Sequence, residues 1–160
     1  METHKKEVPY NHLYAGLITA LMLIVYFLAM RIAGLAIYPE FRLFNFVILF
    51  AGIYYSEKRE EEFSDKGFFS RLADGCLTVF TSVSIFAVFI YTWLSFDTYL
   101  MDALKASSNL NSYIAPETAA IAVFAEGISS GIIMSYIFIA YTDSHSTSTK
   151  RDRNEIEVNK

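Results

Sequence analysis

Glu126 is the residue of this chain with the clearest capacity for chemistry, because it is the single acidic side chain well inside the apolar run from Pro116 to Tyr141. A charge held in mid-membrane costs about 2.5–3.5 kcal/mol on insertion scales, so such a residue turns inward, finds a partner or keeps its proton. Two roles follow. The commoner one is structural, a hydrogen bond or ion pair that fixes helix register. The sharper one is a proton or cation site, which requires a titrating carboxyl in a wet cavity. Glu126 lies ten residues beyond Pro116, roughly 15 Å at 1.5 Å per residue. Asn45 and Thr92 fall at a similar depth on neighbouring apolar runs, and Arg31 or Arg42 can reach inward to it. The expected intramembrane polar site is therefore Glu126, Asn45, Thr92, Arg31 and Arg42. At 100° per residue Glu126 shares a helical face with Ala119, Ala122, Ser129 and Ser130, a small and polar stripe suited to a bundle interior.

Gly127 and Gly131 form a GxxxG pair, with Ser135 one turn further on the same side. Small residues at that spacing let helix backbones approach closely in lipid. Packing within the chain is the default use of this face, and a homo-oligomer contact is the alternative. Thr78, Thr81, Ser82 and Ser84 cluster on one apolar run near the depth of Thr19 and Ser135. Helical hydroxyls usually bond back to their own backbone, so these require no substrate.

Other chemistries lack their residues. His4, His12 and His145 lie toward the two ends at spacings that offer no shared metal site and read as solvated surface groups, so no metal is expected. Cys76 is single, which rules out an intramolecular disulfide, and it reads as a small packing residue. There is no GxSxG elbow, HExxH pair or phosphate-binding glycine loop, and neither enzymatic activity nor a cofactor is expected.

The elements that must position Glu126 are apolar. Hydrophobic residues make up 54% of the 160, while charged residues, at 19%, fall below the quarter usual in soluble domains. Net charge is −4 with the bases confined to ends and connectors, which excludes a basic nucleic-acid groove. Crossing about 30 Å of hydrocarbon takes roughly 20 mostly apolar residues. Leu13 to Met30 and Gly75 to Phe96 are both uncharged and meet that need. The first run is too long for a signal-peptide core, and Arg31 stands where a cleavage site would, so it is read as retained. Pro39-Glu40 and Pro116-Glu117 supply the same start signal, a proline in the first turn and an acid at the positive end of the helix dipole. The run after Pro39 is short, and spanning there requires Arg42 to snorkel to the interface.

The expected fold is an all-α membrane protein, a four-transmembrane-helix bundle with spans at about 13–31, 39–56, 75–96 and 116–141. Residues 1–145 form the membrane domain and 146–160 a polar tail, which is expected to be disordered for want of apolar content. Ser56 to Asp74, with Phe63, Phe68, Phe69 and Leu72, reads as an interfacial elbow helix. Asp97 is placed to cap a short helix whose Leu100, Met101 and Leu104 share one face. Placing the N-terminus inside leaves only Arg31, Arg42 and Lys105 of the basic residues outside, so both termini are expected in the cytoplasm.

Tyr14-Ala15-Gly16-Leu17-Ile18, Gly52-Ile53-Tyr54-Tyr55 and the charged elbow with Phe68 leading to Gly75 together resemble the uncharacterised Bacteroidota membrane family catalogued as domain of unknown function 4199. The fourth run, with its glycines and serines ahead of a basic tail, is similar too, so the resemblance covers roughly residues 10–145. It implies a small four-span protein of the bacterial inner membrane and supplies no catalytic residues. The reading reached from the residues is a non-enzymatic accessory or oligomeric membrane component whose surroundings are lipid; the alternative is a small transporter or proton-coupled channel built on Glu126.

Overall fold

The structure, a computed structural model, describes residues 11–63, 67–107 and 114–158, with side chains on the last helix described through Thr142. Among the described residues the chain is helical, with no strand. The elements are α1 (Asn11–Ile32), a 3-10 turn (Pro39–Arg42), α2 (Leu43–Phe63), α3 (Phe68–Phe96), α4 (Thr98–Ser107) and α5 (Pro116–Val158).

Each boundary has a local cause. Gly34, at φ 73°, ends α1, its N–H donating to the Arg31 carbonyl at 3.2 Å and that of Leu35 to Met30 at 2.9 Å. This is the left-handed closure that glycine adopts without steric cost. The turn before α2 has proline in its first positions and is pinned to α1 by the Tyr26 hydroxyl, which donates to the Phe41 carbonyl at 2.8 Å. Asp97 ends α3 and caps α4, accepting the Leu100 N–H at 3.0 Å. Leu100 and Met101 are buried, and Leu104 packs against the same core, so the short helix folds back on the bundle as its pattern predicts.

α3 is the central element and packs on α5, α1 and α2. Val79, Val83, Phe86, Ile90 and Leu94 line its buried face and meet Leu23 of α1 and Leu49 and Ile53 of α2. The outer faces stay apolar: Leu21 and Val25 of α1, Val88 of α3, and Ile121, Ile133 and Ile137 of α5 are all exposed. Only 28%, 39% and 17% of the most apolar windows of α1, α3 and α5 is buried within the chain. Unburied apolar surface on that scale marks a face that meets lipid or another protein. These three helices are long and apolar enough to cross a membrane, which makes the chain consistent with a multi-pass membrane protein.

Two expected boundaries differ. Among the described residues no separate elbow helix occupies 56–74: residues through Phe63 prolong α2, those from Phe68 open α3, and 64–66 lie outside the described residues. Phe68, assigned to the elbow's apolar edge, packs edge-on against Tyr136 of α5, while Phe69 is 82% exposed. Second, the backbone of α5 is helical to Val158, through the tail read as disordered. Glutamate, lysine and arginine are good helix formers, and extending an existing helix avoids the nucleation cost that makes short isolated ones marginal.

Candidate functional site

The bundle has two ends. Its base holds the start of α1, the end of α2, the start of α3 and Thr142 of α5; its crown holds Arg31, Asp97, α4 and Pro116. Phe138 of α5 meets Phe50 and Tyr54 of α2 with ring centroids 5.8 and 5.6 Å apart toward the base. Toward the crown a cavity of about 710 Å³ lies between the same two helices, floored by α1 and α3. Its walls are mainly aromatic and aliphatic, among them Tyr26, Phe27, Phe41 and Phe86.

Three of the five expected site residues line this cavity: Arg42 from the 3-10 turn, Asn45 from α2 and Glu126 from α5. Ala119 and Ala122 line it as well, whereas Ser129 and Ser130 donate to the Ala125 and Glu126 carbonyls, each at 2.7 Å. Glu126 is exposed at the cavity edge, and its carboxylate makes no ion pair or hydrogen bond among the described residues. Arg42 is likewise exposed and makes neither contact. The Asn45 Oδ1 is buried with no hydrogen-bond partner.

The other two expected partners are elsewhere. Thr92 is exposed on α3 and donates to the Val88 carbonyl at 2.8 Å. Arg31 closes the crown, its Nε donating to Asp97 Oδ2 at 2.7 Å and its Nη2 to Oδ1 at 3.2 Å. Asp97 also accepts from the Trp93 indole at 3.3 Å, and Arg31 lies 5.5 Å from the Tyr99 ring centre. These contacts hold the Asp97 carboxyl below the usual carboxylate range, the Arg31 hydrogen bond first and the Leu100 N–H next. Arg31 is drawn to Asp97 because the end of α3 delivers a carboxylate directly to it, and it does not line the cavity that Glu126 lines.

The residues that sequence reasoning missed form a polar knot at the base. Glu57, with its side chain 1% exposed, accepts from the Arg71 Nε of α3 at 2.9 Å. Arg71 Nη2 reaches Thr142 of α5 at 3.3 Å. The Ser56 and Thr78 hydroxyls share a hydrogen bond at 3.1 Å, and the Asn11 amide of α1 donates to the Ser56 carbonyl at 3.1 Å. His12 Nδ1 lies 3.7 Å from Asp74 Oδ1, so His12 is not simply solvated. All four long helices thus meet in one hydrogen-bonded layer. The available signal was the spacing Arg71, Asp74, Gly75, Thr78, positions i, i+3, i+4 and i+7 of one face.

The glycine pair is used inside the chain. A Cβ on Gly127 would come within 2.8 Å of Val83, and one on Gly131 would overlap Val79. Ser135, one turn on, is fully buried against Gly75. The surface that a homo-oligomer would have used at Gly127 and Gly131 is therefore occupied by α3. The hydroxyls of Thr19, Thr78 and Ser82 bond to the Ala15, Asp74 and Val79 carbonyls of their own helices, as expected.

No family model, curated protein or solved structure matches this chain.

Proposed function

We propose that the chain is a four-span protein of the bacterial inner membrane, with both termini in the cytoplasm, acting as a non-enzymatic accessory or oligomeric component. The observation that carries this reading is the burial of α2: Leu49, Ile53, Ser56 and Glu57 are each under 5% exposed. This edge packs on α1, α3 and α5, while Leu43, Phe44, Val47 and Phe50 stay exposed and apolar, a two-sided pattern that supports a fourth span whose crown end depends on Arg42 snorkelling. The base knot supports the accessory role, since its polar groups are spent joining helices to one another. The glycine-aromatic resemblance and the placement of basic residues at the base end support the membrane and the orientation. An oligomer, on this reading, is built on a surface other than Gly127 and Gly131. Single cysteines at Lys66 and Ser107, in a Cys76→Ala background, test the topology in intact cells. Labelling by an impermeant reagent is expected at position 107 alone, and labelling at 66 contradicts the orientation.

A second reading, a small transporter or proton-coupled channel, is favoured by one specific observation: the unpaired Glu126 carboxylate and Asn45 Oδ1 line the same cavity. Glu126→Gln is then expected to abolish a proton-linked flux in liposomes while leaving the size of the detergent-extracted protein unchanged. An unchanged flux removes this reading and leaves the first.

A further inference from the structure

We propose that the crown cavity binds a lipophilic organic cation, with Glu126 as the counter-charge and Asn45 Oδ1 as a second acceptor; this rests on the reading of Glu126 as a working group. At about 710 Å³ the cavity falls within the range of small-molecule sites. Its shape and chemistry then narrow the guest. Tyr26, Phe27, Phe41 and Phe86 line it, alongside Leu23, Val83 and Ile90, so the guest is largely apolar. Aromatic faces attract cations and disfavour anions. Apart from the exposed Arg42, the lining groups left without a protein partner among the described residues include two that accept, the Glu126 carboxylate on α5 and the buried Asn45 amide oxygen on α2.

Competing guests fit less well. A neutral apolar molecule would leave the carboxylate uncompensated in a medium that penalises bare charge. Magnesium and calcium want six or more oxygen ligands and zinc about four, largely histidine or cysteine, whereas this cavity sets one carboxylate and one amide oxygen among largely hydrocarbon walls. A lipophilic cation matches both the lining and the charge. Its way in is lateral: Thr118, Ala122 and Glu126 are all exposed along the α5 wall, opening the cavity between α2 and α5 toward the bilayer. Arg42 stands on the opposite wall with the wrong sign for this guest, and its exposure lets it turn outward to the interface. Its charge opposes the guest, so its removal strengthens binding.

Tetraphenylphosphonium and tetraphenylborate are nearly matched in size and shape and opposite in charge, which makes them suitable probes. Equilibrium binding to the full chain purified in detergent is expected to saturate at one tetraphenylphosphonium per chain, at least about tenfold tighter than tetraphenylborate. Glu126→Gln is expected to lose that tenfold preference, Arg42→Gln to tighten tetraphenylphosphonium several-fold, and Glu117→Gln, outside the cavity, to change neither. If Glu126→Gln does not fold, Glu126→Asp and Ala122→Trp decide instead: the first retains cation binding and the second, by filling the cavity, abolishes it. Equal binding of the two probes, or an intact preference in Glu126→Gln, overturns the proposal. Selective cation binding without any proton-linked flux would sink the transport reading alone; flux without cation selectivity would sink only this one.

Discussion

Arg71 of α3 holds Glu57 of α2 at 2.9 Å, although only 1% of the glutamate side chain is exposed, and the same guanidinium reaches Thr142 of α5 at 3.3 Å. One cation therefore joins three helices. Burying an ion pair contributes little net stability, but leaving one member alone in the interior is costly, about 3–5 kcal/mol. Arg71→Ala is expected to lower the thermal midpoint in detergent by about 10 °C, taking roughly 2–4 °C per kcal/mol. The double variant Arg71→Leu with Glu57→Leu, which removes both charges, is expected to recover most of that loss; recovery no better than the single variant would mean that the pair itself supplies the stability.

The glycine face leads to an expectation of a different kind. Because Val83 and Val79 already fill the space beside Gly127 and Gly131, a larger residue overpacks the α3–α5 contact, at a typical cost of about 1–3 kcal/mol. Gly131→Leu is expected to lower the melting temperature and reduce yield. The pattern of crosslinked species in membranes should stay as it is in the unmodified chain. A selective loss of crosslinked oligomer with unchanged melting would move this face to a subunit contact.

How far the sequence leads is clearest from these same residues. The runs behind α1, α3 and the apolar part of α5 are legible because an uncharged or nearly uncharged stretch long enough to cross hydrocarbon has few other uses. Asp97 is legible as a cap because capping is local. Glu57 is not: it sits two residues after Tyr55, in a run of charges that reads as an exposed elbow, and only the fold shows that Arg71 meets it from the next helix. The candidate site divides the same way. Depth counted along the chain brings Asn45 and Glu126 to one cavity, but depth says nothing of rotation, and Thr92 faces elsewhere.

At the crown, pH should act through Asp97. Its carboxyl is held below the ordinary range by Arg31, so the latch contributes its full stability at neutral pH and down to pH ~4, where an unperturbed aspartate is half protonated, and begins to lose it below that. That contribution is lost as pH falls through the depressed folded value. Trp93, the single tryptophan, donates to the same carboxylate at 3.3 Å, and its fluorescence should report the event. An acid titration is expected to show a transition below pH ~4 in the unmodified chain and none in Asp97→Asn. A transition that persists in Asp97→Asn would assign it to another group.

Asn45 separates stability from binding. Its Oδ1 is buried without a partner, and such an orphaned acceptor typically costs about 1–3 kcal/mol. Asn45→Leu removes that cost, adds apolar volume beside Leu49 and Phe46 of the cavity wall, and should raise the thermal midpoint of the detergent-purified chain. If the cavity exists only as a packing defect, nothing else changes. If it holds a cation against Glu126, the more stable variant should bind tetraphenylphosphonium more weakly, because an acceptor has gone and the space beside it has narrowed. Higher stability with undiminished cation binding would show that Asn45 takes no part in the site, and lower stability would show that its amide is satisfied in the membrane by a group the bundle itself provides.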